Sequence, residues 1–270
     1  MSVAGAVDTR FEPVSVPLWR EALFGVDWLA LRVSPVYYGI GVPRGDGAPV
    51  VIIPGFLGSD NYLIEMFYWL RRIGYKPYYS RIGRNAECPD VLRGRLLETM
   101  EKAHQETGRK LHLVGHSLGG LLARSAATSR PDLVEQVICM GSPFRDIRVH
   151  PMILAAAGFV RSRIRTQGDR NGSPKEDCYT GGCACEFAAA IREDRIPASV
   201  RRHAIYTETD GVVDWESCIE ADESLNTRVD GTHSGLAFNP QVYRAVAKLL
   251  IADRKPASKP RARRRAPSKP

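Results

Sequence analysis

Two hydrophobic patterns alternate along this chain. Short, nearly continuous apolar runs recur as VVIIPG at 50–55, YKPYYS at 75–80, KLHLVG at 110–115, VEQVICMG at 134–141 and RRHAIYTET at 201–209. Their length and β-branched content predict strands. Between and after them lie stretches with helical spacing, near 59–73, 90–107, 118–129 and 239–252. Strands that are apolar on both faces and separated by helices predict right-handed crossovers, hence an α/β fold with a mostly parallel sheet and helices on both of its faces.

Two segments stand outside this rhythm. Residues 17–33, PLWREALFGVDWLALRV, place Leu18, Ala22, Val26, Leu29 and Val33 on one helical stripe. The expectation is an amphipathic helix whose stripe packs on the domain. After Pro143 the rhythm breaks until about residue 200, which predicts an insertion between two late strands. It contains a helix near 151–165 with Ile153, Ala156, Ala157, Val160 and Ile164 on one face, opposite Arg161, Arg163 and Arg165. That face either covers the core or lines a pocket as a cap. The predicted organisation is one catalytic domain over 1–253, with a cap insertion at about 144–200, followed by a disordered basic tail over 254–270.

Charge supports this division. The 270 residues carry a formal net charge of +8, and eight Lys and Arg residues lie at 254–270, so the rest of the chain is formally neutral. A proline-rich stretch of like charge with no large apolar residue has too little to bury to repay its ordering entropy. Contact of this tail with anionic membrane or nucleic acid is a weak, charge-driven expectation, and no obligate protein partner is implied. A basic n-region followed by an apolar h-region is not visible at the start, and no stretch is long and apolar enough for a membrane span, so the expected location is cytoplasmic. Cys88 and Cys139 stand alone. Cys178, Cys183 and Cys185 form a group, with Cys218 as a further candidate, and admit three readings: a disulfide staple, reduced thiols or structural zinc.

The chemistry centres on Gly115-His116-Ser117-Leu118-Gly119-Gly120, a G-x-S-x-G pattern directly after a predicted strand and directly before a predicted helix. A sharp strand-to-helix turn strains the serine and presents it alone above the sheet, and the helix N-terminus favours a developing oxyanion. A serine hydroxyl is a weak nucleophile near neutral pH and needs a base and a group that orients the base. Among six histidines, His116 adjoins the serine with its side chain expected to project differently. His104, His112, His150 and His203 fall in helix, strand or insertion patterns. His233, in the loop VDGTHSGLAFNP before the final helix, is the candidate base. Asp210, at the end of the strand RRHAIYTET, is the candidate acid, with a following glycine that permits the turn; Asp214 and then Asp146 are alternatives.

IPGFLGSD, LHLVGHSLGGLLAR, ETDGVV and GTHSGLAFNP together resemble the bacterial lipase and esterase branch of the α/β-hydrolase superfamily, in order and approximate spacing, across residues 49–252. The resemblance implies that the backbone amides of Phe56 and Leu118 form an oxyanion hole. Pro54 stands where many lipases have histidine, a departure that leaves the Phe56 amide in place. The expected activity is a serine-dependent carboxylic-ester hydrolase, working through Ser117, His233 and Asp210 without metal or organic cofactor, on a small-molecule ester or lipid. An acyltransferase with the same triad and a non-catalytic scaffold with a basic tail are the rivals.

Overall fold

The structure, a computed structural model, describes residues 11–167 and 183–251; the expected basic tail and Cys178 lie outside them. In chain order the elements are β1 (Phe11–Pro13), α1 (Phe24–Val33), β2 (Pro49–Ile53), α2 (Ile64–Arg72), β3 (Lys76–Tyr79), α3 (Pro89–Thr107), β4 (Leu111–His116), α4 (Leu118–Ser129), β5 (Val134–Met140), β6 (Ile147–Val149), α5 (Pro151–Gln167), α6 (Glu186–Glu193), β7 (Arg201–Tyr206), β8 (Asn226–Arg228) and α7 (Pro240–Ile251). Short 3-10 turns precede α1 at Leu18–Leu23 and α2 at Asp60–Leu63.

Six strands form one sheet in the order β3-β2-β4-β5-β7-β8, and every pairing in it is parallel. The period of two within a strand explains why the runs are continuously apolar. Val50 and Ile52 of β2 pack on one side with Trp69 of α2 and Tyr243 of α7. Val51 and Ile53 pack on the other with Leu92 and Leu96 of α3 and Leu122 of α4. All five residues of β2 and all six of β4 are buried. From β2 the chain moves outward to β3, then returns across β2 to β4, so the winding direction reverses between β2 and β4. Ligand sites of such sheets form beyond the strand carboxyl ends at that reversal.

The expectation for residues 17–33 is overturned. Ala22, Val26, Leu29 and Val33 face outward, Val26 at 65% and Val33 at 73% exposure, while Leu31 is fully buried. The segment is apolar around most of its circumference, so the stripe does not determine which side packs. What determines it is hydrogen bonding by Glu21 and Asp27, both turned toward the domain.

The insertion leaves the main sheet after β5 and returns at β7. Its β6 pairs in parallel with β1, far from it in sequence. Arg124, buried within α4, fastens the insertion: it pairs with Asp194 at the end of α6 at 2.6 Å and with buried Glu220 at 2.5 Å, and its guanidinium lies 3.9 Å from the centre of the Phe144 ring. Among the described residues no helix is long and apolar enough to cross a membrane.

Candidate active site

Ser117 occupies the single-residue turn between β4 and α4, with φ 52° and ψ −124°. A non-glycine residue in this region is strained, and it is held here because its neighbours leave no alternative. A Cβ on Gly115 would lie 2.4 Å from the Gly119 carbonyl oxygen, and one on Gly119 would lie 2.3 Å from that of Ile53. The glycines therefore let the turn close against itself and against β2. Gly55, after β2, passes so near the serine that a Cβ there would meet Ser117 Cβ at 3.0 Å and His116 Nδ1 at 2.9 Å.

The loop after β2 is held by a residue the sequence reading did not single out. Buried Asn85 donates from its side chain to the Pro54 carbonyl at 2.9 Å, accepts from the Leu57 N–H at 2.8 Å and donates its own N–H to Gly58 at 2.8 Å. Phe56 lies inside this bracket. Among the described residues, the N–H groups of Phe56 and of Leu118, at the start of α4, have no hydrogen-bond acceptor, and both residues line the same cavity as Ser117.

His233 and Asp210 meet across two loops. His233 Nδ1 lies 2.7 Å from Asp210 Oδ2, with both side chains buried, while Asp210 Oδ1 accepts from the N–H groups of Val212 and Val213 at 2.8 Å each. A carboxylate fixed by two backbone amides cannot rotate away from the imidazole, and with Nδ1 engaged Nε2 is the nitrogen left for proton transfer. Burial of the ring pulls the His233 pKa down, but the charge and hydrogen bond of Asp210, and then the charge of Glu21, together hold it above the usual histidine value. Asp214 lies elsewhere, capping the turn at Trp215–Cys218 through Glu216 N–H and pairing with Arg148. Asp146 is half-buried and does not line the cavity.

His116 does more than adjoin the serine. Its Nε2 lies 2.9 Å from the His233 carbonyl oxygen, and its ring centre is 4.9 Å from that of His233. Burial, reinforced by the nearby His233, drives its pKa down to about 3, so it is neutral and Nε2 carries the proton that is donated.

The cavity beside Ser117 and His233 has a volume of about 350 Å³. It is predominantly apolar, with Leu121 from the nucleophile helix, Ile153, Leu154 and Ala157 from α5, and Phe187 and Ile191 from α6. The insertion thus contributes walls next to the serine, and within the predicted apolar face Ile153 and Ala157 reach the cavity while Val160 is buried. Cys183 and Cys185 also line it, joined by Cys88, whereas Cys218 packs with Val149 and Val213. These four and Cys139 are free thiols. Burial pushes Cys185 up to about 12 and Cys139 up to about 11, which keeps both protonated near neutral pH. Among the described residues no group of three or more His, Cys, Asp or Glu side chains is placed to hold a metal ion.

Solved structures with this architecture are numerous. A metagenomic carboxyl esterase superposes with a TM-score of 0.54 at 14% identity, covering 93% of this chain and 95% of its own. The mature form of a Bacillus licheniformis lipase gives 0.52 at 17% identity, covering 78% of this chain and 95% of its own. The fold is that of an α/β-hydrolase. In sequence, the PGAP1-like alpha/beta domain matches residues 90–153, the part of the chain running from α3 through the turn at Ser117 to the start of α5. A triacylglycerol lipase of Burkholderia plantarii is 29% identical over 132 residues, 46% of this chain and 37% of the relative. One from Vibrio cholerae is 32% identical over 133 residues, 44% of this chain and 42% of the relative. The chain thus spans less than half the length of these curated relatives.

Proposed function

We propose that the protein is a serine-dependent carboxylic-ester hydrolase whose nucleophile is Ser117, base His233 and acid Asp210. The observation that carries this reading is the buried 2.7 Å contact between His233 and Asp210 beside the apolar cavity that the strained serine also lines. Such a constellation performs acyl transfer. Ser117 Oγ attacks the acyl carbon as its proton passes to His233 Nε2, and the resulting oxyanion is received by the N–H groups of Phe56 and Leu118. Collapse of the tetrahedral intermediate breaks the bond to the alkoxy oxygen, which leaves as an alcohol with the proton from His233. Water then repeats the sequence and releases the acid. Each oxyanion donor of this type contributes about 3 kcal/mol to transition-state stabilisation.

The substrate class follows from the walls. An aliphatic acyl chain suits a cavity lined by leucine, isoleucine and phenylalanine, and the triacylglycerol lipase relatives support a lipid or lipid-like ester. The test is covalent labelling by a fluorophosphonate, with hydrolysis of p-nitrophenyl esters of increasing acyl length. Labelling and turnover are expected in the wild type, with both lost in a folded Ser117→Ala protein. Labelling that survives in that variant overturns the assignment. Diversion of the acyl group to an added alcohol in preference to water assigns an acyltransferase instead.

A further inference from the structure

Every backbone polar group of His233 and Ser234 is met by a side chain from elsewhere in the chain. The two carbonyl oxygens accept from His116 Nε2 at 2.9 Å and from the Tyr62 hydroxyl at 2.6 Å. The two N–H groups go to one carboxylate, that of Glu21: His233 N–H to Oε1 at 3.0 Å and Ser234 N–H to Oε2 at 2.7 Å. Oε1 also accepts the N–H of Gly211, the residue after Asp210, at 3.0 Å. A single carboxylate therefore joins the loop of the acid to the loop of the base. The role of Gly211 follows: a Cβ there would lie 2.8 Å from Glu21 Oε1, so the glycine gives the carboxylate room to approach.

We propose that Glu21 is a positioning residue of the active site, fixing the acid loop and the base loop relative to each other and adding a negative charge beside His233. The inference rests on the roles proposed above for His233 and Asp210. Gly211 and His233 are buried and Ser234 half-buried, so the three amides need an acceptor within the fold, and a single carboxylate that supplies it imposes one geometry on both loops and acts electrostatically on the imidazole. The charged and titratable groups around His233 come from five places. Asp210 follows β7, Glu21 sits in the turn before α1, and Asp27 on α1 acts through Thr232. His116 ends β4 and is neutral, and Tyr62 precedes α2, its hydroxyl pushed to higher pKa by burial and then by the Glu21 charge.

The test compares Glu21→Gln, Glu21→Ala and Glu21→Asp with wild type. Glu21→Gln retains the size of the side chain but removes the charge and turns a donor toward one of the amides. We expect kcat to fall by about tenfold or more with KM changed less than about threefold. The acid limb of kcat/KM should move to lower pH by about half a unit, because the lost negative charge no longer favours the imidazolium. Glu21→Asp, which keeps the charge, should leave the limb closer to wild type. Two measurements are independent of turnover: titration of the His233 ring by NMR, expected to shift down in Glu21→Gln, and amide exchange of Gly211, His233 and Ser234, expected to accelerate together in Glu21→Ala. A fall in kcat with the limb and the ring titration unmoved overturns the proposal, as does unchanged exchange at the three amides. Failure of the hydrolase reading is recognised separately, by wild-type protein that fluorophosphonate does not label at Ser117.

Discussion

The imidazole of His116 donates from Nε2 to the backbone carbonyl oxygen of His233 across 2.9 Å, so the residue before the proposed nucleophile holds the residue proposed as base. Because burial, reinforced by the nearby His233, drives the His116 pKa down to about 3, this contact does not titrate near neutral pH. His116→Leu is therefore expected to lower kcat by about five- to tenfold, the worth of one net hydrogen bond, and to leave the acid limb of the pH profile where it is. A limb that moves with this substitution would show that His116 carries charge at working pH.

Asp210 and Asp214 stand four residues apart and have separate tasks. Asp210 orients His233 Nδ1, whereas Asp214 caps a short turn and pairs with Arg148 at the surface of the insertion. Asp210→Asn should reduce kcat by about four orders of magnitude by stabilising the wrong imidazole tautomer, as in other triads. Asp214→Asn keeps an acceptor for the cap and loses one partly exposed ion pair, so turnover should stay within about threefold and stability within about 1 kcal/mol. Steady-state kinetics on the two purified variants decides the matter, and a reversed order would transfer the role of acid to Asp214.

The pH profile follows from the same pair. A raised His233 pKa means that the ring keeps its proton to higher pH than a free histidine, and only the deprotonated ring accepts a proton from Ser117. Activity should therefore fall on acidification through a midpoint above the ordinary histidine value of about 6.5. In the residual activity of Asp210→Asn, where the carboxylate charge is gone and burial still acts, that midpoint should drop. A midpoint below the ordinary value in wild type would mean that burial outweighs Asp210 and Glu21.

The parts of this molecule that were legible in the sequence are those whose physics is local. β2, β4 and β5 are apolar on both faces because both faces are covered, and Ser117 announces itself through glycines at fixed offsets around a strand-to-helix turn. The meeting of Asp210 and His233 was legible from chain order and loop position. Glu21, Asp27, Asn85 and His116 were not, since each acts on backbone groups 31 to 213 residues away and leaves no periodic trace. One signal was present: Glu21 and Asp27 are the two carboxylates within the apolar segment 17–33. Acids in such a helix point either to solvent or to a specific set of donors, and the second option reverses the side that packs.

Arg124 tests how the insertion is fastened. Its guanidinium is buried on α4, paired with buried Glu220 and with Asp194, and stacked on Phe144. Burial alone lowers the tendency to hold its charge, but the neighbouring negative groups reverse this, so it stays a cation. Arg124→Met fills the volume but leaves the buried Glu220 carboxylate with only the longer pairing to Arg202 at 3.6 Å, and should cost up to about 3–5 kcal/mol. The double variant Arg124→Met, Glu220→Leu should recover much of that loss, because an apolar pair no longer leaves a buried carboxylate short of its main partner. Urea denaturation of the single and double variants measures the difference; a double variant no more stable than the single would place the loss in packing against Phe144.

The outward turn of the apolar stripe makes the final prediction. Val26, Leu29 and Val33 are exposed at 65%, 58% and 73%, so replacing any of them with serine removes little buried area and should change stability by less than about 0.5 kcal/mol. Leu31 on the same helix is fully buried, and Leu31→Ala should cost about 2–5 kcal/mol through lost transfer energy and the cavity left behind. Asp27 is the decisive residue, since the two packing arrangements give it opposite roles. In the structure its carboxylate takes the Thr232 hydroxyl at 3.2 Å and the Asn239 side-chain amide at 3.4 Å, and a Cβ on Gly235 would lie only 1.9 Å from it. Asp27→Ala should therefore cost about 1–3 kcal/mol by leaving those donors unpaired. If the stripe packed inward instead, Asp27→Ala would be neutral or stabilising and Leu29→Ser would carry the penalty of a core substitution. Denaturant midpoints for the five single variants separate the two arrangements, and a large loss in Leu29→Ser combined with none in Asp27→Ala would reverse the orientation of the helix.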